Sequence, residues 1–388
     1  MTKTASPPRS RRSTLCPFCR ERLGEEGDCQ TCGAARDLVP EPGPIKSQRI
    51  RLEHQACGRF GLRGRHTPTG DLIRLTYSSD GGTNNTRLRI GQRTPLLEEL
   101  DSVLPVKVRR GALSGVWESG RLRVAQRVTL VGGPTTQVPD TLRVDYLVWN
   151  RGRGRRKVGL RAMVDTLIGS NDGVPFLVPG RQGLVHLSED YLAPVPPYIQ
   201  AIERPDPTDP GAIVHLTLRG GEATPPDRLV IDHWPGSQGS YEFFRGKGKS
   251  WGRDSAVGLY WDLELAPGEV RRCTYLYGLG GMSSLASGNA RMSLTVPKVV
   301  APGEPFFLAG RVFGAARGSR VRLEGPASLS SEDALEQVVE IDESAAFAFV
   351  GWDLSCSKSG KKSLRVVLLG PDDSEETTET VSVSVKKR

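Results

Sequence analysis

Short runs of alternating apolar and polar residues, separated by turns rich in glycine and proline, recur along residues 47–283. In the clearest run, Arg121–Val131, the apolar side chains fall on one side and three arginines on the other. A period of two with one charged face predicts half-solvated antiparallel strands. Residues 47–283 hold too many such runs for a seven-stranded unit, and we predict a large antiparallel β-sandwich.

The stretch Leu142–Gly180 contains two of these runs, Leu142–Trp149 and Val158–Asp165, joined by a turn of glycines and arginines. We expect the two strands to form a hairpin whose second strand ends in an acid. A second hairpin is expected around the Pro-Gly-Glu turn at residues 267–269. The one short helix that the apolar spacing predicts covers Pro95–Val103.

The chain of 388 residues is too long for one ordinary core and predicts several domains. Its high glycine and proline content, without a collagen-like period, favours a mainly β protein. Composition suggests the boundaries: a disordered tail at 1–13, a metal-binding module at 14–36, linkers at 37–46 and 284–290, the large sandwich at 47–283 and a C-terminal domain at 291–388.

Four cysteines near the N-terminus form two Cys-x-x-Cys pairs: Cys16, Cys19, Cys29 and Cys32. Thiolates at this spacing can converge tetrahedrally on one Zn²⁺. The segment is too short to bury a core of its own, so metal binding must supply its folding energy. Because all four coordination positions are filled by protein, we expect the zinc to be structural and not catalytic.

The motifs Cys-Pro-Phe-Cys and Cys-Gln-Thr-Cys-Gly at residues 16–33 resemble the short zinc-ribbon modules of many bacterial proteins. A redox pair explains one Cys-x-x-Cys motif, but it does not explain two of them without a βαβ pattern. Docking of a protein partner is the first interpretation of such a ribbon. Nucleic-acid contact is disfavoured because Arg20, Arg22 and Arg36 are balanced by nearby acids.

The order of a strand ending at Trp149-Asn150, a basic turn and a second strand resembles in outline the large sandwich of galactose mutarotase-like and related carbohydrate-active proteins. The paired histidines that a mutarotase uses cannot be placed in this sequence, so the resemblance implies a fold and not an activity. Residues 291–388 hold about seven short strands and resemble immunoglobulin-like sandwiches, without their Cys-Trp-Cys trio. That resemblance implies a spacer or docking domain.

Two polar loops of the middle region each follow a strand and gather carboxylate and amide oxygens. With a strand-end acid and a His-Trp pair they make one candidate rim: Asp80, Asn84, Asn85, Asp165, Asn171, Asp172, His233 and Trp234. If the fold brings these residues together, they could hold a sugar or a hard cation such as Ca²⁺. The favoured alternative is that the Asp-Gly and Asn-Asp-Gly sequences simply form tight turns.

Asp165 differs from the loop acids because it ends an apolar strand, where burial would raise its pKa and suit it for acid–base work. The commoner role of such an aspartate is to cap a loop through backbone N–H groups. Five basic residues lie within Arg151–Lys157, but an exposed turn explains them without nucleic acid, since no aromatic residue is interleaved for stacking. No phosphate-binding glycine loop or nucleophile motif is present.

The net charge of +9 lies mainly in the middle region, so neither end is a polybasic tail for nucleic acid or lipid. Cys57, Cys273 and Cys356 are scattered and odd in number, which favours reduced core thiols over disulfides. No apolar run is long enough to span a membrane, and the N-terminus lacks the apolar core of a secretory signal. We therefore expect a cytoplasmic protein.

These features together predict a non-catalytic interaction or adaptor protein with one structural Zn²⁺ and β-sandwich recognition surfaces. The basic middle region would favour an acidic protein partner through electrostatic steering. Nucleic-acid and membrane partners are not expected. The alternative is a carbohydrate-binding or carbohydrate-active protein that uses the polar rim of the middle sandwich.

Overall fold

The computed structural model describes residues 45–65, 70–109, 111–136, 138–220, 222–236, 239–281, 283–287, 290–340 and 347–387. These residues form a mainly β protein, as predicted, with one 3₁₀ turn at Leu97–Glu99. The predicted tail, the zinc ribbon with its four cysteines and most of the following linker lie outside the described residues. Across the described ranges, no helix is long and apolar enough to cross a membrane.

The strands of the middle region are β1 (Ile50–His54), β2 (Phe60–Arg65), β3 (Leu72–Arg74), β4 (Asn85–Ile90), β5 (Asp101–Arg109), β6 (Ala112–Ser119), β7 (Leu122–Gly132), β8 (Pro139–Asn150), β9 (Arg156–Thr166), β10 (Phe176–Leu177), β11 (Glu189–Leu192), β12 (Tyr198–Ile202), β13 (Ile213–Thr217), β14 (Arg228–His233), β15 (Ser255–Leu265) and β16 (Val270–Leu279). The strands of the C-terminal region are β17 (Ser283–Ser287), β18 (Ala290–Thr295), β19 (Val299–Val300), β20 (Phe306–Phe313), β21 (Arg320–Glu324), β22 (Leu329–Ser331), β23 (Glu336–Val338), β24 (Ala348–Cys356), β25 (Gly360–Leu369) and β26 (Glu375–Val385).

The middle region is a large sandwich of two antiparallel sheets that share one hydrophobic core. One sheet has eight strands in the order β10-β12-β13-β16-β8-β7-β6-β5, and the other has five in the order β11-β14-β15-β9-β4. A small sheet, β1-β2-β3, adds Ile50 and Leu62 to the same core. Alternate residues of β8 and β9 point into this core, which is the reason for the period-two pattern.

The predicted hairpin between β8 and β9 is wrong. Strand β8 pairs with β7 and β16 in the eight-stranded sheet, whereas β9 pairs with β4 and β15 in the five-stranded sheet. The basic turn therefore carries the chain from one sheet to the other, and the turn between β15 and β16 does the same. Alternation shows which face of a strand is buried, but neighbours in one sheet and partners across a core give the same pattern.

The side chain of Asn150 forms hydrogen bonds with both of the turns that carry the chain from one sheet to the other. Its side chain is fully buried, and its amide nitrogen lies 2.8 Å from the carbonyl oxygen of Gly154 and 3.1 Å from those of Leu265 and Ala266. Its side-chain oxygen accepts a hydrogen bond of 2.9 Å from the backbone N–H of Gly152. One side-chain amide thus supplies hydrogen-bond partners to backbone groups of both turns, at the end of the sandwich where the chain passes between the sheets.

The arginine-bearing face of β7 is buried, and the expectation of a half-solvated strand is wrong. Arg123 and Arg127 are 9% and 5% exposed. Arg123 forms an ion pair of 2.8 Å with Glu118, and Arg127 lies opposite Asp145 on β8. Acids on neighbouring strands therefore compensate the buried guanidinium groups. The sequence pattern of one strand does not contain this information.

The helix predicted over Pro95–Val103 is also wrong: only the 3₁₀ turn Leu97–Glu99 forms there, and β5 begins at Asp101. Leu97 and Leu100 are buried in the main core, so the apolar spacing reflects one turn entering a strand. Cys273 and Cys356 are buried and unpaired, in agreement with reduced core thiols, and Cys57 is unpaired and half-buried.

The C-terminal region is a second sandwich, with sheets β17-β18-β20-β24-β22 and β19-β26-β25-β21-β23. Its core is separate from that of the large sandwich and contains the fully buried Trp352. Residues 284–290 were expected to form a linker, but β17 runs through Ser283–Ser287 and pairs with β18. Glycine is disfavoured in strands, but strand propensity depends on context, and here the segment pairs with β18.

Candidate metal centre

Two aspartates meet at one end of the five-stranded sheet, where β9 ends and its antiparallel neighbour β15 begins. Asp165 lies opposite Ala256 in the register of the pair. Asp254 precedes Ala256 by two residues, so it falls on the same face as Asp165, in the diagonal position. The pairing of β9 with β15 therefore brings two carboxyl groups together that are far apart in the sequence.

A third aspartate, Asp172, comes from the loop that follows β9. Its backbone carbonyl oxygen accepts two hydrogen bonds of 3.0 Å from Ser255, one from the N–H and one from the hydroxyl. Backbone hydrogen bonds of 2.9 Å and 3.0 Å between Ile168 and Asn171 close the same loop. These bonds hold the loop against the start of β15, beside Asp254.

The three carboxyl groups form one compact cluster. A side-chain oxygen from each of Asp165, Asp172 and Asp254 lies within 4.8 Å of the corresponding oxygens of the other two. Asp165 is 1% exposed, and the other two are half-buried. The Oδ1 atom of each of the three is buried and has no hydrogen-bond partner. Buried polar atoms without partners are rare in native proteins and point to a bound ion, water or a functional role.

Burial is the main cause of the raised pKa values of this cluster. Burial raises the pKa of Asp165 to about 8, and the charges of Asp254 and Asp172 add to the shift, while the nearby Thr83 hydroxyl opposes it. Burial also raises the pKa of Asp172 to about 6, with a further contribution from Asp254. The pKa of Asp254 is raised by burial as well. The cluster therefore binds protons at neutral pH when nothing else balances its charge.

Two cationic side chains lie near the cluster without neutralising it. Arg74 and His233 lower the pKa of Asp172 by their positive charge, and His233 has the same effect on Asp254. The Nδ1 atom of His233 lies 3.0 Å from the backbone carbonyl oxygen of Trp251, which holds the ring at the end of β14. Burial outweighs these effects, because the pKa of Asp172 is still raised to about 6 and that of Asp254 is still raised.

The geometry fits one hard divalent cation. Ca²⁺ binds oxygen ligands at about 2.3–2.6 Å, so two of its ligands lie at most about 5 Å apart. The separation of the three oxygens is within this limit. Carboxylates are the preferred ligands of hard cations, and a cation would compensate the charge that makes ionisation of Asp165 costly. The three residues that would hold the ion are Asp165, Asp172 and Asp254.

Of the predicted rim, the structure places Asp165 and Asp172 in this cluster and His233 beside it. Asn84 supports the cluster, because its side-chain oxygen accepts a hydrogen bond of 2.7 Å from the backbone N–H of Asp165. Its amide nitrogen donates to the carbonyl oxygen of Phe60 at 2.8 Å. Asn84 is 6% exposed, so it positions the end of β9 and offers no surface to a ligand.

The other four predicted residues have structural roles. Asp80 closes a turn by accepting hydrogen bonds from Gln55 Nε2 at 2.9 Å and from the N–H of Gly82 at 3.1 Å. Three further residues are bonded within the fold: Asn85 accepts from the Arg161 guanidinium, Asn171 donates to the Glu203 carbonyl at 2.7 Å, and Trp234 donates to the Thr83 carbonyl at 3.2 Å. All four side chains are therefore hydrogen-bonded within the fold.

Asp254 is not among the residues predicted from the sequence. It lies just before β15 in an ordinary Gly-Arg-Asp-Ser segment, and nothing local distinguishes it from a surface acid. The signal that could have found it is the register between β9 and β15. A correct pairing of these two strands would have placed Asp254 diagonally from Asp165.

No protein-family model and no curated protein sequence matches the chain. Solved structures that align with it include a galactose mutarotase related enzyme from Lactobacillus acidophilus, at 9% identity over 62% of this chain and 97% of that one, with a TM-score of 0.38. A galactose mutarotase-like protein from Lactobacillus casei aligns at 9% identity over 62% of this chain and 100% of that one, with a TM-score of 0.36.

A polysaccharide lyase aligns over more of the chain, at 13% identity and a TM-score of 0.33, covering 88% of this chain. The chain spans 47% of the length of that lyase. The structural neighbours thus include galactose mutarotase-like β-sandwich proteins. These similarities are too low to assign a family.

Proposed function

We propose that the large sandwich binds one divalent cation of the calcium class through Asp165, Asp172 and Asp254, and that the chain acts as a binding protein. The observation that carries this proposal is the cluster itself: each of the three aspartates has a side-chain oxygen within 4.8 Å of those of the other two, and Asp165 is 1% exposed. The Oδ1 atom of each is buried without a hydrogen-bond partner. Grouping buried carboxyl groups without a counter-charge is unfavourable, and a cation supplies that charge.

The cluster lies where a cation can stabilise three segments at once. It joins the end of β9, the loop that contains Asp172 and the turn before β15. A cation held by all three would fix this end of the sheet and the surface loops around it. In this role the site is structural or ligand-presenting and does not itself carry out a reaction.

Calcium binding by the full chain tests the proposal. After treatment with a chelator, CaCl₂ is titrated into the protein in a calorimeter. The pH is about 8, close to the pKa of Asp165, so that a bound proton competes only weakly with the cation. We expect uptake of one ion that is lost in Asp165→Asn, Asp172→Asn and Asp254→Asn. Asp209→Asn is the matched control, because Asp209 is an exposed acid of the same sandwich that pairs with Arg204.

The four thiolates of the predicted ribbon do not confuse this measurement, since Ca²⁺ takes oxygen ligands. Circular dichroism spectra of the variants establish that they are folded. Absence of calcium uptake in the unmodified protein contradicts the proposal. So does uptake that all three cluster variants retain.

A second candidate function is glycosidic-bond hydrolysis, which the spread of pKa values favours. Asp165, with a pKa of about 8, would be the general acid, and Asp172, with a pKa of about 6, would be the carboxylate nucleophile. Two carboxyl groups at similar separation act in this way in retaining glycosidases. The 1% exposure of Asp165 argues against contact with a sugar, and for this reason cation binding is placed first.

The finer roles expected from the sequence remain proposals. Docking of a protein partner by a structural zinc ribbon rests on Cys16, Cys19, Cys29 and Cys32, which lie outside the described residues. The cytoplasmic location and the preference for an acidic partner rest on composition alone. Carbohydrate binding through the rim around Asp172 and His233 would require a sugar to reach the half-buried members of the cluster.

A further inference from the structure

A cleft of about 600 Å³ lies between the large sandwich and the C-terminal sandwich. One side is the outer face of the eight-stranded sheet, where β12, β13 and β16 contribute Tyr198, His215 and Leu276. The other side comes from the C-terminal sandwich, including Thr295 and Phe307. Ligand sites typically measure about 300–1,000 Å³ and occur preferentially at domain interfaces.

The two sandwiches are fixed to each other around this cleft. The backbone N–H of Lys298 donates to the carbonyl oxygen of Pro134 at 2.8 Å. On another side, Phe313 of the C-terminal sandwich packs with Ile202 and Ile213 in one buried apolar cluster. The cleft is therefore bounded by contacts that hold both of its walls in place.

Hydrogen-bonding side chains from both domains line the cleft. The Thr217 hydroxyl and the Nδ1 atom of His215 are buried and have no hydrogen-bond partner, whereas the hydroxyl groups of Tyr198 and Thr295 interact with each other across the domain boundary. All four residues are less than 9% exposed. Because rotation about χ1 exchanges the hydroxyl and methyl groups of threonine, Thr217 and Thr295 can turn their hydroxyls toward a ligand in the cleft. Unsatisfied buried groups are unfavourable until they find such a partner.

The charged side chains of the cleft are paired within the protein. Arg219 of the large sandwich lies 3.7 Å from Asp353 of the C-terminal sandwich, and Glu222 lies 2.5 Å from Arg143. Most of the remaining lining is apolar, from proline, valine and phenylalanine residues. Apolar walls with a few neutral donors and acceptors suit an uncharged ligand that has several hydroxyl groups.

We infer that this cleft binds a neutral polyhydroxylated ligand of about the size of a disaccharide, held by Thr217 and His215 of one domain and Thr295 of the other. The cleft shares no residue with the cluster of three aspartates, so this inference goes beyond the proposed cation site and does not depend on it. A ligand that contacts both walls would also stabilise the packing of the two sandwiches against each other.

The test uses the full chain and four neutral disaccharides as probes: maltose, cellobiose, lactose and sucrose. Binding is measured by saturation-transfer NMR and calorimetry. The variants are Thr217→Val and Thr295→Val, which keep the shape of the side chain and remove only the hydroxyl group. Thr380→Val is the matched control, because Thr380 is exposed on β26 and does not line the cleft.

We expect at least one probe to bind, with about a tenfold loss of affinity in Thr217→Val and Thr295→Val, which corresponds to one lost hydrogen bond, and no change in Thr380→Val. The melting temperature of Thr217→Val should stay the same or rise, since this substitution removes an unsatisfied buried hydroxyl. The inference is overturned if no probe binds, if both cleft variants bind like the unmodified protein, or if only charged saccharides added as a comparison bind.

Discussion

The carboxyl groups of Asp165 and Asp254 lie on the same face of the paired strands β9 and β15, with side-chain oxygens within 4.8 Å of each other. Burial is the main cause that raises the pKa of both, and the charge of Asp254 further disfavours ionisation of Asp165. The stability of the protein should therefore depend on pH and on divalent cations through the same residues.

In the absence of divalent cations, the protein should lose stability as the pH rises from about 4 to about 8 through the Asp165 carboxyl group. The pKa of Asp165 is raised to about 8 in the folded state, so the folded protein holds a proton that the unfolded chain releases near pH 4. The expected slope from this group is up to about 1.4 kcal/mol per pH unit.

Urea unfolding of the unmodified protein and of Asp165→Asn at a series of pH values isolates this contribution. The difference in unfolding free energy should change steadily across the window, with the asparagine variant relatively more stable at high pH. CaCl₂ should restore stability at about pH 8 only in the unmodified protein. A pH-independent difference between the two proteins contradicts the assignment.

Acid should destabilise the domain interface through His215. Burial lowers the pKa of His215 to about 3, so the unfolded chain takes up a proton below about pH 6.5 that the folded protein does not bind. Stability from this residue is present above pH 6.5 and is lost as the pH falls toward 3. The ring stacks on Tyr198 at a centroid distance of 4.6 Å, so His215→Phe keeps an aromatic side chain without titration.

We expect His215→Phe to show a smaller loss of unfolding free energy than the unmodified protein between about pH 6.5 and pH 4. His186→Gln is the control, because His186 is exposed. Equal acid sensitivity of the unmodified protein and His215→Phe would count against a buried neutral imidazole.

Replacement of Asn150 by alanine should destabilise the large sandwich by about 2–3 kcal/mol. The variant leaves the carbonyl groups of Gly154, Leu265 and Ala266 without the amide that they share, at the edge where the two crossings meet. Asn84→Ala should also destabilise, because its side chain bonds to the Asp165 N–H. Chemical unfolding measures both changes, and a shift below about 0.5 kcal/mol in Asn150→Ala would contradict the role of the residue.

The full chain should contain one zinc ion when purified without chelator. The spacing of Cys16, Cys19, Cys29 and Cys32 predicts this ion. Elemental analysis of the unmodified protein should give about one zinc per chain, which the double variant Cys16→Ser, Cys19→Ser loses. Cys57→Ser is the control. Zinc that remains bound in the double variant, or that is absent from the unmodified protein, rules out the ribbon.

The candidate metal centre could be predicted from the sequence only in part. Asp165 and Asp172 were candidate ligands because an acid at a strand end and an acid in the following loop are close along the chain. Asp254 could not be found in this way, because its position depends on the pairing of β9 with β15. The interdomain cleft was not predicted at all. Its walls come from the outer face of one sheet and from the second sandwich, and the sequence does not show how two domains pack together.

The sequence by itself determined the mainly β architecture and most strand positions, because side chains that alternate between core and surface leave a period of two in the chain. It also predicted the unpaired, buried state of Cys273 and Cys356, whereas Cys57, which was expected to be a core thiol as well, is only half-buried. Only the tertiary structure decided which strands pair, that β8 and β9 lie in opposite sheets, and that Asp165, Asp172 and Asp254 share one end of a sheet. The reason is physical: burial acts on each residue locally, whereas pairing and register depend on segments that are distant in the chain.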